Sequence, residues 1–140
     1  MGAKRAGLLL LVEDEHLLRE LVAQFLRGEG YVVVEACDGR EGIERFHDSG
    51  PFDLALVDLN LPICSGVEVC RRIKETNPTQ RVMICSAAIL LDHENALGAL
   101  GVDHYLTKPY HPEDLLTHIA LEIHAGCKPL ETVRISLRSA

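Results

Sequence analysis

The sequence predicts an α/β domain, a single doubly wound sheet of five parallel strands with helices on both faces. Two observations carry this. Short apolar runs alternate with helix-period segments five times along the 140 residues. The first and third runs both end in carboxylates, Glu13-Asp14 and Asp58, and the carboxyl ends of the strands are where such sheets bind ligands.

Leu8–Val12 is an unbroken apolar run, as expected of a strand buried on both faces. Leu17, Leu18, Leu21, Val22, Phe25 and Leu26 then recur at helical spacing, so an amphipathic helix follows, stopped by Gly28 and Gly30. Tyr31–Ala36 is the second strand. Asp38 and Glu41 form a D-x-x-E capping pattern that opens a second helix, with Ile43 and Phe46 facing inward. Pro51 breaks the chain before the third strand, Leu54–Asp58, and a turn runs from Leu59 to Gly66. Ser65 and Glu68 cap a third helix that runs to about Asn77, with Pro78 as its stop. Arg81–Cys85 is the fourth strand, Asp92–Leu100 a weaker helix ending at Gly101, and His104–Thr107 a short fifth strand. Pro112 suits the first turn of a last helix, whose apolar face is Leu115, Leu116, Ile119, Ala120 and Ile123. Parallel crossovers are right-handed, and five strands suit the flavodoxin-like order 2-1-3-4-5, which reverses direction between strands one and three.

Composition narrows the function. A chain of this length at 47% hydrophobic makes one domain and needs no disulfide or metal to hold its core. The formal charge of −7 comes with scattered acidic residues and no Lys/Arg cluster, so direct nucleic-acid binding is not expected. No pair among Cys37, Cys64, Cys70, Cys85 and Cys127 has C-x-x-C spacing, which argues against zinc; all five read as reduced thiols of a cytoplasmic protein. The seven histidines include no i, i+4 pair and read as solvated or structural. Lys4-Arg5 before Leu8–Val12 imitates a signal peptide, but five apolar residues are too few and Glu13-Asp14-Glu15 ends the run. Ala6 stands where a myristoylation signal after Gly2 wants Ser or Thr, and no stretch is long enough to span a membrane.

The strand ends carry the chemistry. Glu13, Asp14 and Asp58 would meet at the switch point of the sheet, where unpaired carboxylates repel and raise one another's pKa. A hard divalent cation relieves this, and Mg²⁺ commonly bridges carboxylate to phosphate. The fourth strand brings the hydroxyl of Ser86, and the fifth runs into Lys108-Pro109. A carboxylate nucleophile beside a metal and a lysine suits phosphoryl transfer to an aspartate.

At this point the sequence resembles the response regulator receiver domains of two-component phosphorelay systems. The carriers are LLLLVEDE, LALVDLNLPICSG, MICSAA and HYLTKPY, over about Leu8 to His124. The intervals are 44 residues from Asp14 to Asp58, 28 from Asp58 to Ser86 and 22 from Ser86 to Lys108. Each piece alone is weak; together and in order they are specific. The strand order 2-1-3-4-5 belongs to the resemblance as much as to the spacing.

The resemblance implies a role for each matching position. Asp58 would accept a phosphoryl group from a sensor histidine kinase or a histidine phosphotransfer protein, with Mg²⁺ as cofactor. Asp14 would bind the metal directly, Glu13 through water, and Asn60 through its backbone carbonyl. Ser86 would hydrogen-bond the phosphoryl group and Lys108 would pair with it. Tyr105 matches an aromatic switch that turns inward when Ser86 is drawn to the phosphate, though an ordinary strand tyrosine fits the pattern too. Pro109 matches a proline usually on a cis bond. The only catalysis implied is the protein's own aspartyl phosphorylation and dephosphorylation. The face of the fourth helix, fifth strand and fifth helix is where such domains dock partners or form a homodimer.

Two features depart from that pattern. Ala87-Ala88-Ile89-Leu90-Leu91 is apolar where the family is usually polar; it packs under the fourth helix or forms a partner patch. The domain is expected over residues 1–125, with 126–140 a tail or the start of a linker in which Val133, Ile135 and Leu137 alternate with polar residues. Three other classes compete. A haloacid-dehalogenase-type phosphatase needs a second Asp where Asn60 stands, and a flavodoxin-like nucleotide binder would be repelled by Glu13-Asp14. A phosphorylation-independent scaffold with the same fold is the remaining alternative.

Overall fold

A computed structural model describes residues 6–124. The strands are β1 (Gly7–Val12), β2 (Tyr31–Ala36), β3 (Leu54–Val57), β4 (Val82–Ser86) and β5 (Tyr105–Thr107). The helices are α1 (His16–Gly28), α2 (Gly39–Ser49), α3 (Gly66–Thr76), α4 (Leu91–Ala99) and α5 (Pro112–Ile123). All strand pairs are parallel and the sheet order is β2-β1-β3-β4-β5. The expected α/β architecture and strand order therefore hold, with element ends moved by one residue in several places. β3 stops at Val57 and leaves Asp58 just past the strand, whereas β4 extends to include Ser86. The expected tail and Cys127 lie outside the described residues.

The sheet separates two apolar layers. On one face Leu10, Val12, Ala55, Val57, Val82, Ile84 and Tyr105 pack against Phe46 of α2, Val69, Cys70 and Ile73 of α3, and Leu97 of α4. On the other, Leu9, Leu11, Leu54, Leu56, Met83 and Leu106 pack against Val22, Ala23 and Leu26 of α1 and Leu115 and Ile119 of α5. The period of two along each strand deals alternate residues to the two layers. Each fully buried Leu or Ile contributes on the order of 2 kcal/mol of transfer free energy.

The expected caps form at α2 and α3. Asp38 accepts from the Glu41 N–H at 2.8 Å, and Ser65 accepts from the Glu68 N–H at 3.2 Å. Gly30 and Gly101, after α1 and α4, hold positive φ angles of 100° and 81°, which glycine adopts without strain.

The α1 pattern overstates the buried stripe. Leu17 and Leu21 are exposed although they share the helical spacing of Leu18, Val22 and Leu26. Seven apolar residues in the ten from Leu17 to Leu26 cover more of the helix circumference than one sheet face can bury. The Ala87–Leu91 stretch divides between its two readings. Ile89 packs against the layer under α4, whereas Leu90 and Leu91 are exposed. Cys37, Cys64, Cys70 and Cys85 are free thiols. No helix among the described residues is long and apolar enough to cross a membrane.

Candidate functional site

Parallel strands bring their carboxyl ends to one edge of the sheet, so three distant segments meet there. Asp58 follows β3, Glu13 follows β1, and Lys108 follows β5. The Lys108 ammonium donates to Glu13 Oε1 at 2.5 Å and to Asp58 Oδ2 at 2.9 Å. All three side chains are largely buried. Carboxylate oxygens of Glu13, Asp14 and Asp58 lie within 4.8 Å of one another, with Asp14 exposed and the other two buried. The loops add backbone donors. Asn60 N–H reaches Asp58 Oδ1 at 3.2 Å, and Glu15 N–H reaches Glu13 Oε2 at 3.1 Å.

Titration follows from burial first. Desolvation pushes the Glu13 carboxyl up, against the lowering pull of the Lys108 ammonium and the Glu15 N–H; the nearby Asp58 adds only a small further rise. Mutual repulsion among the acids, expected from the sequence, is therefore the lesser cause. For Lys108 burial alone would lower the pKa, but hydrogen bonds to Glu13 and Asp58 outweigh it and the ammonium is held above its ordinary value. One ammonium thus serves two buried carboxylates. Removing one partner of such an interaction costs about 3–5 kcal/mol, because it strands a buried charge.

Ser86 ends β4 between Asp58 and Lys108, and the Lys108 N–H donates to its carbonyl at 3.0 Å. The residue is fully buried and its hydroxyl has no hydrogen-bond partner among the described residues. An orphaned buried hydroxyl costs free energy unless a ligand satisfies it. Ile84 pairs in register with Tyr105, and Ser86 with Thr107. Ser86 and Tyr105 therefore share one face of the sheet. The Tyr105 ring is buried, and its hydroxyl donates to the Val102 carbonyl at 3.2 Å. The Lys108-Pro109 bond is cis, as the resemblance implied. A cavity of about 330 Å³ opens beside the ammonium, lined by Glu15, Leu18, Ala87, Lys108, Pro109 and Tyr110.

The structure thus gathers Glu13, Asp14, Asp58, Ser86 and Lys108 at one end of the sheet, with Asn60 and Pro109 beside them. Tyr105 stands one step back in the core. Sequence reading missed two features. Arg19 donates to the Glu13 carbonyl at 2.8 Å; the available signal was a charge at position i of an i, i+4, i+7 series whose other members, Ala23 and Leu26, are core. A second cluster lies at the amino end of β5, where buried His104 bonds Glu122 and faces His118 at 3.5 Å. No local spacing announces those partners.

A doubly wound sheet of this order, with acids from two strand ends and a lysine from a third, is the architecture of two-component signal-transduction domains. The chain belongs to the response regulator receiver domain family, whose sequence model matches residues 9–120. It is 38% identical over 114 residues to the transcriptional regulatory protein DltR of Streptococcus agalactiae, covering 81% of this chain and 50% of that protein. It is 30% identical over 115 residues to the regulatory protein VanR of Enterococcus faecium, covering 82% of this chain and 49% of that protein. The chain spans about half the length of these curated relatives. Among solved structures, the CheY-like receiver domain protein of Methanospirillum hungatei superposes with a TM-score of 0.80 at 28% identity, covering 84% of this chain and 94% of that one.

Proposed function

We propose that this chain is a Mg²⁺-dependent phosphorylation switch that accepts a phosphoryl group on Asp58 from a sensor histidine kinase or histidine phosphotransfer protein. The observation that carries this reading is the Lys108 ammonium bonded to both Glu13 and Asp58, with the partnerless Ser86 hydroxyl on the neighbouring strand.

The donor set fits a hard cation. It is all oxygen, three carboxylates converge, and burial holds Glu13 up, which a divalent charge would relieve. Glu13, Asp14, Asp58 and the Asn60 carbonyl would hold Mg²⁺, which would supply charge neutralisation beside the reacting oxygens. In the transfer, an Asp58 carboxylate oxygen forms a bond to phosphorus as the N–P bond of phosphohistidine breaks. The electron pair of that bond leaves with an imidazole whose other ring nitrogen already carries a proton, so the histidine ends neutral. Both Asp58 oxygens are engaged beforehand, one by Lys108 and one by the Asn60 N–H, so the carboxylate is oriented before it reacts. Lys108 follows the negative charge onto the phosphoryl oxygens. Ser86 gains in that group the hydrogen-bond partner it lacks.

The same event reaches the surface. Ser86 and Tyr105 share a sheet face, so a Ser86 drawn toward the phosphoryl group favours the inward Tyr105 ring over an outward one. Tyr105 belongs to the α4-β5-α5 face, whose edge carries exposed Leu90 and Leu91. That face is the proposed site of phosphorylation-dependent partner docking or homodimer formation. On this reading the only reactions the protein catalyses are its own phosphorylation and dephosphorylation.

The test is incubation with Mg²⁺ and acetyl phosphate. The parent should acquire hydroxylamine-sensitive phosphate and the Asp58→Asn variant none, with both retaining the same circular dichroism. Equal labelling of the two would remove Asp58 as acceptor. No labelling of either, with phosphohistidine donors also inactive, would favour a phosphorylation-independent scaffold.

A further inference from the structure

The acids of this site sit on a loop that its own helix does little to hold. α1 begins at His16, its N-cap residue Glu15 makes no side-chain cap, and its first turn has no acidic residue. Yet Glu13 and Asp14 must leave β1 in a fixed direction for both to reach Asp58. The N–H of Glu13 is tied to β2 through the Ala36 carbonyl at 3.0 Å. Its C=O needs a donor, but β2 ends at Ala36, and the next N–H, that of Cys37, goes to Glu41 Oε1 at 2.7 Å.

Arg19 supplies it from inside α1. The residue lies one turn before Ala23, on the helix face that turns toward the sheet, and its side chain is only 12% exposed. Nη1 donates to the Glu13 carbonyl at 2.8 Å, and Nε donates to Glu35 Oε1 at 3.3 Å. Nη2 lies 3.1 Å from His16 Nδ1. Glu35 stands on β2 opposite Leu11, and its second oxygen pairs with Arg27 at 3.1 Å. One planar fork therefore braces the peptide after Glu13 against the neighbouring strand, and both ends of the brace are anchored.

We infer that Arg19 is a positioning residue for the cation site: with Glu35 behind it, it fixes the Glu13–Asp14 peptide so that both carboxylates face Asp58 before a metal binds. This rests on the Mg²⁺ reading above. Arg19 acts on the ligands through the Glu13 backbone carbonyl, and its other partners are Glu35 and His16. Outer partners that orient ligands typically change metal affinity by about 10–100-fold when lost. The brace depends on the fork rather than on charge, since an ammonium at position 19 is a single point donor that cannot span the Glu13 carbonyl and the Glu35 carboxylate in one plane.

The experiment measures Mg²⁺ affinity by titration calorimetry on the parent, Arg19→Lys, Arg19→Gln and Glu35→Gln, with amide hydrogen exchange of Glu15 read in the metal-free proteins. Arg19→Lys and Arg19→Gln should both weaken Mg²⁺ roughly 10-fold or more, and both should speed Glu15 exchange. Glu35→Gln, which leaves Arg19 in place, should give a smaller loss in the same direction. With acetyl phosphate, the variants should need more Mg²⁺ for half-maximal labelling but reach the parent rate at saturation. Parent-like affinity and exchange in folded Arg19→Gln would overturn the inference alone, as would full rescue by Arg19→Lys. If the arginine variants do not fold, unchanged Mg²⁺ affinity in Glu35→Gln overturns it. A parent that binds no Mg²⁺ overturns the inference and the cation reading together.

Discussion

Replacing Gly66 with alanine should damage this domain more than any other single methyl group added to a glycine of α1 or α4. A Cβ at position 66 would lie 2.1 Å from the Asp58 carbonyl oxygen, 2.6 Å from Leu59 Cα and 2.9 Å from the Asp58 carbonyl carbon. All three are backbone atoms of the segment that carries Asp58, the proposed phosphoacceptor, so no side chain can rotate away. Restoring ordinary contact requires a shift of more than about 1 Å between α3 and the residues after β3. Overpacking of this kind costs about 1–3 kcal/mol. The Gly66 N–H bond to the Leu59 carbonyl, 3.0 Å, would be stretched as well, at about 1 kcal/mol. A loss of about 3 kcal/mol corresponds to a fall of roughly 10 °C in Tm for a domain of this size. Gly98, in α4, has nothing within 4 Å of its added Cβ, so Gly98→Ala should instead stabilise by about 0.5–1 kcal/mol. Thermal and urea melts of the two variants are the assay, with the phosphorylation rate measured on the folded Gly66→Ala fraction. A Gly66→Ala protein that melts within about 2 °C of the parent and labels at the parent rate would refute the packing on which this reasoning rests.

Three further outcomes are expected. Mg²⁺ should raise Tm by a concentration-dependent amount, since on the proposed reading it binds the folded acids and not the unfolded chain, and Asp14→Ala should erase that rise; an unchanged rise would remove Asp14 from the ligand set. Acid should weaken the β5–α5 contact. Burial, then His104, push His118 below its ordinary 6.5, so the unfolded chain takes up that proton first. That stability is present above about pH 6.5 and is lost as pH falls toward the lower folded value. For Glu122 burial acts upward, but His104 and Arg81 outweigh it and hold the carboxyl below its ordinary 4.5, so its contribution is lost at lower pH still. Urea melts should show stability falling from pH 7 to 5, less steeply in His118→Gln; an identical slope would exclude His118. Finally, beryllofluoride, a phosphoryl mimic, should alter self-association or partner binding in the parent more than in Leu90→Glu or Leu91→Glu, measured by sedimentation. Equal responses in folded variants would take these leucines out of the signalling surface.

The sheet and its acid edge were legible because both depend on chain order. Apolar runs such as Leu8–Val12 mark buried strands, and parallel strands must bring Glu13, Asp58 and Lys108 to one end whatever the intervening residues do. The capping pairs Asp38/Glu41 and Ser65/Glu68 were legible because they act within one turn. What escaped depends on tertiary partners. Periodicity alone groups Leu17 and Leu21 with the other apolar residues of an amphipathic helix, but the sheet face under α1 is filled by Val22, Ala23 and Leu26. His104 meets Glu122 and His118 only because α5 folds back along β5. Ile63 occupies a left-handed φ of 71°, a conformation costly for a β-branched residue, in the loop between Asp58 and α3. Nothing in the string Leu61-Pro62-Ile63-Cys64 foretells it.

Whether Asp58 itself receives the phosphoryl group is decided by locating the acyl phosphate in the chain. The parent protein, labelled with acetyl phosphate and Mg²⁺ and quenched in acid, is reduced with borodeuteride, which converts an aspartyl phosphate to deuterated homoserine, and its peptides are sequenced by mass spectrometry. The arrangement of Asp58 between Lys108 and the Asn60 N–H predicts the deuterated product at position 58, in amounts that rise and fall with labelling. Deuterium at Asp14, Glu13 or any other carboxylate, with Asp58 recovered intact, would contradict it.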